Sequence, residues 1–428
     1  MSARAPARHV ALLALLASGA AAAEDDLFEL RSALKGTLLL SRAREVSLLQ
    51  PEQVSAASLW RVRLEPRVVP TPWLTVFAAY EQRVRLTSSA SALGAPGLPQ
   101  ADQPAPFRVV ALEGSLFHGP NVSYWHEVDR LAVALHFPHV ELTLGRQAIG
   151  WGRGLSFGAI DLFLPFSPLE VDREWRRGVD AVRLDVQLGR RASVEALAVF
   201  GPDVERSAFL GRVRGYLGPV DAELMGGWRA KDVVLGASAS ASVLDAEVHG
   251  ELSAWLLPTA WAQGGTFGND RLVLKGVVGV SYQFAVGDGL RAALEYHYSG
   301  FGLDFPVNAL LLSGDAALRT RFERGELQIL GRHVLAASVG YSFDLAVSGS
   351  LQALVDPRDG SGVVAPGVNW DLSDNVSLVG AAYAGWGRLP DGLTLRSQFG
   401  ATPLAVLVQV RLYDQRSAGR RATVDEAH

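Results

Sequence analysis

The residues best suited by type and spacing to act on a solute lie between Val140 and Arg183. Gly145, Gly150, Gly152 and Gly154 are interleaved there with Arg146, Trp151 and Arg153. A stretch rich in proline, aromatic and charged side chains follows, carrying Asp161, Asp172, Arg173, Glu174, Arg176 and Arg177, and then Asp180 and Arg183. Guanidiniums and carboxylates on one long loop are what a channel constriction requires, because charged side chains there replace part of a solute's hydration. The same charges also suit a solvated surface loop, and their spacing alone leaves both readings open.

Enzymatic chemistry finds less support. Glu295, His297 and Ser299 share one face of a strand. Same-face neighbours are about 6.6–6.8 Å apart along a strand, too far for direct proton transfer in regular geometry. The run Gly150 to Gly154 lacks the Lys-Ser/Thr that opens the helix of a phosphate loop. Asp356 to Gly360 is too short for a calcium loop and reads as a turn. The chain has no cysteine, which excludes disulfides and thiolate metal sites. The histidines are scattered, and nothing in the sequence calls for a metal or cofactor.

The elements that must position these charges come from the hydropathy pattern. Apolar residues make up 49% of the chain, yet no apolar run beyond the N-terminus reaches the length of a membrane helix. From Leu34 to Tyr413 apolar and polar residues instead alternate with period two, over segments of about ten residues. Leu131, Val133, Leu135 and Phe137 alternate with Arg130, Ala132, Ala134 and His136. Leu404, Val406, Val408, Val410 and Leu412 alternate with Gln409 and Arg411. This pattern predicts an all-β fold, a transmembrane antiparallel β-barrel with apolar side chains toward lipid and polar ones toward the lumen.

Eighteen segments fit, at 34–47, 57–67, 72–86, 128–137, 139–149, 179–188, 192–200, 208–217, 220–229, 231–243, 246–256, 271–285, 289–299, 332–343, 346–355, 363–371, 375–385 and 404–413. The even number suits a closed bacterial barrel. With the first strand rising from the periplasm, the long connections 87–127, 150–178, 257–270, 300–331 and 386–403 all fall on the extracellular side. Tight turns such as Gly189 to Arg191 and Ser373 to Asn375 fall on the other. Phe107 to Phe117 also looks strand-like, but a spanning strand there would invert every later loop, so it is assigned to loop structure.

The N-terminus reads as a cleaved secretory leader over 1–23, with Arg4 and Arg8 before an apolar core and Ala21 to Ala23 as cleavage site. Residues 24–413 form the barrel and 414–428 a polar tail, following an aromatic closing residue, Tyr413. Net charge is −4, and no basic tail or patch suggests nucleic acid.

The central stretch resembles a group of Gram-negative outer-membrane channel proteins, the alginate-export-type barrels and related porin-like families. Gly145, Arg146 and Gln147, then Trp151 and Gly152, Asp161, Pro165, Asp172 and Gly178 to Asp180 carry the likeness. It implies an outer-membrane location, assembly by the barrel-assembly machinery, eighteen strands, and a polar or anionic solute or polysaccharide as cargo. It also implies that Arg146 lines the channel. Simple alternation from Val140 points Arg146 at lipid, so either Gly145 introduces a bulge that turns it inward or Arg146 lies at the interface.

Sorted by parity, the inward face carries fourteen basic residues, Arg183, Arg212, Arg214, Lys275 and Arg291 among them, against ten acidic ones that include Glu295. A basic excess favours anions. The expectation is an outer-membrane channel for polar, anionic or saccharide solutes, its charged lumen narrowed by the 150–178 loop, with 300–331 as a second narrowing element. Its constriction and lining would be Arg146, Arg153, Asp161, Asp172, Arg173, Arg176, Asp180, Arg183, Arg212, Arg214, Lys275, Arg291 and Glu295. The alternative is a plugged structural or adhesion barrel whose extracellular loops bind a partner.

Overall fold

Period-two alternation becomes long antiparallel strands that close on themselves. In the computed structural model, which describes residues 27–88, 96–98, 105–263, 266, 270–287 and 289–416, the wall begins with β1 (Phe28–Arg42), β2 (Val54–Thr71) and β3 (Leu74–Thr87). After a short β4 (Glu113–His118) it continues through β5 (Val122–His136), β6 (Val140–Gln147), β7 (Val179–Gln187), β8 (Ala192–Phe200) and β9 (Ala208–Leu217). Next come β10 (Val220–Arg229), β11 (Asp232–Val243), β12 (Ala246–Leu256), β13 (Leu272–Phe284) and β14 (Leu290–Ser299). Following the two-residue β15 (Val307–Asn308) are β16 (His333–Ser342), β17 (Val347–Val355), β18 (Gly362–Ser373) and β19 (Val376–Trp386). The two-residue β20 (Thr394–Leu395) pairs with β15 outside the wall, and β21 (Leu404–Arg416) ends the wall.

Setting aside β4, β15 and β20, eighteen strands each pair with their neighbours. β21 closes the ring by pairing with β1 from Leu30↔Arg416 to Arg42↔Leu404. Closure satisfies every strand's backbone groups and leaves no edge in lipid, which is what an apolar solvent demands. Alternation does the sorting. On β21 the exposed Leu404, Val406, Val408 and Val410 face outward while buried Ala405, Leu407 and Gln409 face in. At one rim no connection exceeds five residues, and all the long loops gather at the other. By the rule for such barrels these are the periplasmic and extracellular rims.

Most of the segments expected from sequence fall within a residue or two of a strand. The larger differences have local causes. β1 begins six residues earlier than expected, because its polar Glu29 and Arg31 do not read as strand. β5 begins at Val122 rather than 128, since Asp129 forms a bulge between Val128 and Arg130 and interrupts the alternation. β21 runs past Tyr413 to Arg416, and Tyr413 faces inward, donating from its hydroxyl to Glu174 Oε2 at 2.7 Å. The Phe107–Phe117 segment is indeed no spanning strand. Its second half enters β4, which pairs with β5 at Ser123–Glu127, beyond the point where β6 leaves at Gln147. The proposed leader and most of the tail lie outside the described residues.

Candidate functional site

The connection between β6 and β7, residues 148–178, folds into the barrel and makes a circuit of its inner wall. Inward-facing polar residues on one strand after another take hold of it. Trp151 Nε1 donates to Glu195 on β8 at 3.2 Å. The Arg153 guanidinium pairs with Asp221 on β10 at 2.8 Å and donates to Ser238 and Ser240 on β11. Glu251 on β12 accepts the backbone N–H groups of Arg153, Gly154, Ala159 and Ile160. Glu295 on β14 accepts those of Leu155 and Ser156, both at 2.6 Å.

The far side is held in the same way. The Tyr383 hydroxyl on β19 donates to the Leu169 carbonyl at 3.1 Å, and Arg411 on β21 donates to that of Val171 at 3.4 Å. Asp172 meets Lys35 on β1 at 2.8 Å and Arg61 on β2 at 3.0 Å. The return to the wall is fixed on β5, where Arg130 donates to the Arg176 carbonyl at 2.7 Å and Arg177 pairs with Glu127 at 2.9 Å. A fork from Arg176 to Asp161, 2.8 and 2.7 Å, ties the outgoing limb to the returning one. Bidentate guanidinium–carboxylate pairs add geometric specificity as well as energy. The loop is therefore built as a fixed ring.

Glycine is required at two places along this path. Gly145 has φ +113°, and a Cβ there would stand 2.3 Å from the Leu131 carbonyl oxygen. A Cβ on Gly154 would lie 1.7 Å from the carbonyl oxygen of Phe157, so the tight bend there excludes any side chain. The burial of the apolar loop residues then fills the lumen. Ile149, Trp151, Leu162 and Phe163 join one core with Trp255, Trp261, Phe301 and Leu327. Phe157 and Ala159 join a second with Leu39, Leu59, Val334 and Leu407.

The 300–331 connection packs into the first of these cores. Asp315 caps its helix Ala316–Glu323 by accepting from the Ala317 and Leu318 amides. Glu326 is gripped by Arg229 and Arg321, each at 2.5 Å, and Arg321 also pairs with Asp232. Burial alone would raise the Glu326 carboxyl, but Arg229 and Arg321 outweigh it and hold it down to about 2. Asp172 is likewise held below the ordinary range by Arg61 and Lys35 against the effect of burial. Burial wins at Glu170, pushing its carboxyl up to about 7 despite an N–H from Ser167 and the nearby Arg61.

The residues singled out from sequence divide into groups. Arg153, Asp161, Asp172, Arg173 and Arg176 all belong to the ring; Arg173 donates to carbonyls of its own loop, Pro168, Glu170 and Leu155. Arg183, Arg212 and Arg214 sit together on β7 and β9. The first two share Glu195 at 3.1 and 2.6 Å, and Arg214 meets Asp221 at 3.2 Å. Arg146 is buried, pairs with Asp180 at 2.7 Å and Glu113 at 3.2 Å, and donates to the Val128 carbonyl. It holds the β4 segment against β5 and β7, and opposite it in register stand Leu131 and Asp180. Lys275 is buried beside Ser299. Arg291 stands apart, near the short-turn rim with Gln283.

The Glu295, His297 and Ser299 trio makes no relay. Glu295 binds His249 at 2.7 Å, His297 stacks on Phe157, and Ser299 Oγ has no hydrogen-bond partner among the described residues. Other participants were not anticipated. Trp175 lies under Lys35, Arg61 and Arg63, with the Lys35 ammonium 3.6 Å from its ring centre. Arg108 pairs with Asp129 and Glu113. Glu127 is hidden by the late start assigned to its strand, and Asp129 by the bulge that puts it out of step with Arg130.

Two of the cavities are lined in part by the 148–178 connection. One of about 580 Å³ opens on the long-loop side, lined by Arg61, Arg83, Phe166, Glu170, Trp175 and Arg177 among others. The other, about 450 Å³, lies toward the short-turn side against Arg31, Glu65, Arg67, Ala79, Arg130 and Gln147.

No family model matches the chain, and no curated protein matches its sequence. Solved structures do share its fold. Acinetobacter baumannii OccAB4 superposes with TM-score 0.52 at 11% identity, over 92% of this chain and 99% of that one. Pseudomonas aeruginosa OccK5 (OpdH) gives 0.53 at 10% identity, over 90% and 98%. A double-substitution variant of OccD1 (OprD) gives 0.54 at 9% identity, over 93% and 98%. At these identities the likeness is one of fold. The class it defines is the closed eighteen-stranded antiparallel β-barrel.

Proposed function

We propose that the protein is an outer-membrane channel that passes small polar solutes, anionic or saccharide in character, through a charged lumen narrowed by the 150–178 loop. One observation carries this reading: a loop rich in paired charges is fixed as a ring inside a closed barrel, with cavities lined in part by charged side chains above and below it. Transport is passive. Guanidiniums on the wall offer several donors each to a solute's oxygens, and binding must stay weak enough for release. The likeness of the Gly145 to Asp180 stretch to alginate-export-type barrels supports an acidic saccharide as cargo. Insertion by the barrel-assembly machinery belongs to the same proposal.

The test is a reversal-potential measurement in planar bilayers under a salt gradient, followed by liposome swelling in neutral and uronate oligomers. Anion preference and faster swelling with uronates are expected. Cation preference would overturn the anionic reading. A second reading, a plugged barrel that displays its loops to a partner, draws support from the two apolar cores that fill much of the upper lumen.

A further inference from the structure

We infer that solute crosses the barrel along β2, β3 and β5, through a layer closed by side chains, and that Arg63 decides what passes. This rests on the channel reading above. Register places the two cavities one above the other. Arg61 stands opposite Arg83, and Arg63 opposite Glu81, across β2 and β3. Glu81 stands opposite Glu127, and Ala79 opposite Arg130, across β3 and β5.

The upper cavity reaches down to Arg61 and Arg83, and the lower one reaches up to Ala79, Arg130 and Glu65. Same-face residues on a strand are about 6.6–6.8 Å apart. What separates the cavities on this wall is therefore one layer: Arg63, Glu81, Glu127 and Asp129.

That layer is held chiefly by ion pairs, with the Gly178 amide donating to Asp129 at 2.8 Å and Trp175 lying against Arg63. Arg63 meets Asp129 at 2.9 Å, Glu81 at 3.2 Å and Glu65 at 2.6 Å, and Arg83 meets Glu127 at 2.9 Å. The opposite side of the lumen is closed differently, by loop backbone pinned to Glu251 and Glu295 and by the fully buried Phe157, Ala159, Ile160 and Phe163. Opening a route there requires unpacking a core. Opening the Arg63 layer requires that one long side chain leave its pairs with Glu65, Glu81 and Asp129 and change rotamer while a solute takes over its donors. A polyhydroxylated solute can do so, its oxygens accepting from Arg63 while its hydroxyls donate to the carboxylates that Arg63 leaves.

The chain has no cysteine, so one introduced thiol reports cleanly. Ala79→Cys places it just beneath the layer in the full-length refolded protein. A charged, membrane-impermeant thiol reagent is added from the long-loop side, with bilayer conductance recorded in parallel. Adding Arg63→Gln should speed labelling at least ten-fold and raise conductance several-fold. Phe157→Ala, which loosens the packed side where Phe157 stacks on His297, should change neither. The pair Arg63→Gln with Asp129→Asn keeps the layer's charge balanced and should give the same acceleration where the single variant assembles poorly. Unchanged labelling with a conducting parent protein would overturn the route and leave the channel reading standing. Accelerated labelling with no current in any variant would support the route through the layer and overturn the channel reading.

Discussion

Glu170 lines the upper cavity with its carboxyl pushed up to about 7, because burial outweighs the attraction of Arg61. It is neutral below that pH and negative above it. The folded state therefore keeps a proton that the unfolded chain releases lower down, and stability falls as pH rises from the ordinary carboxylate range through about 7. The same ionisation adds negative charge at the mouth. Anion permeability relative to cation permeability should drop between about pH 6 and pH 8, and Glu170→Gln should flatten that step. Reversal potentials across the pH series check this; an unchanged step in the variant would assign the titration elsewhere. Single residues of this kind are poorly legible in sequence. Arg153, Asp161 and Arg176 stand out by type, but that Arg176 forks onto Asp161 depends on a fold of the loop that no local pattern encodes.

At the scale of elements, two carboxylates do much of the holding. Glu251 and Glu295 together accept six loop amides. Hydrogen bonds to a charged acceptor contribute about 1.5–3 kcal/mol each. Glu251→Gln keeps the shape but removes the charge, and its amide offers only one oxygen where two now accept. The 150–160 limb should then open locally, seen as amide exchange at residues 153–160 at least ten-fold faster and as trypsin cleavage after Arg153. Protection equal to the parent protein would show that apolar packing alone fixes the ring. Strands were the legible elements here. Alternation located β8, β9, β10 and β12 to the residue, because each is regular and bounded by turn residues. β4 was not legible as a wall element. It only extends the edge of β5 where β6 stops short, a need created by tertiary structure.

The whole molecule is a wall that a period-two sequence specifies and an interior that it does not. Parity sorts lipid-facing from lumen-facing residues because a charge on the lipid side costs about 2–4 kcal/mol at mid-depth. The basic excess counted from parity is largely absorbed once Arg61, Arg63, Arg83, Arg183 and Arg212 are seen paired with carboxylates. On the proposed route, what the lumen presents to a solute is set by which pairs can exchange partners. The most direct measurement of the central claim is single-channel conductance of the refolded protein in planar bilayers, with strand content verified by circular dichroism. Discrete, small conductance steps are predicted, as befits a ring-narrowed lumen. A folded barrel that inserts and never conducts would contradict the account.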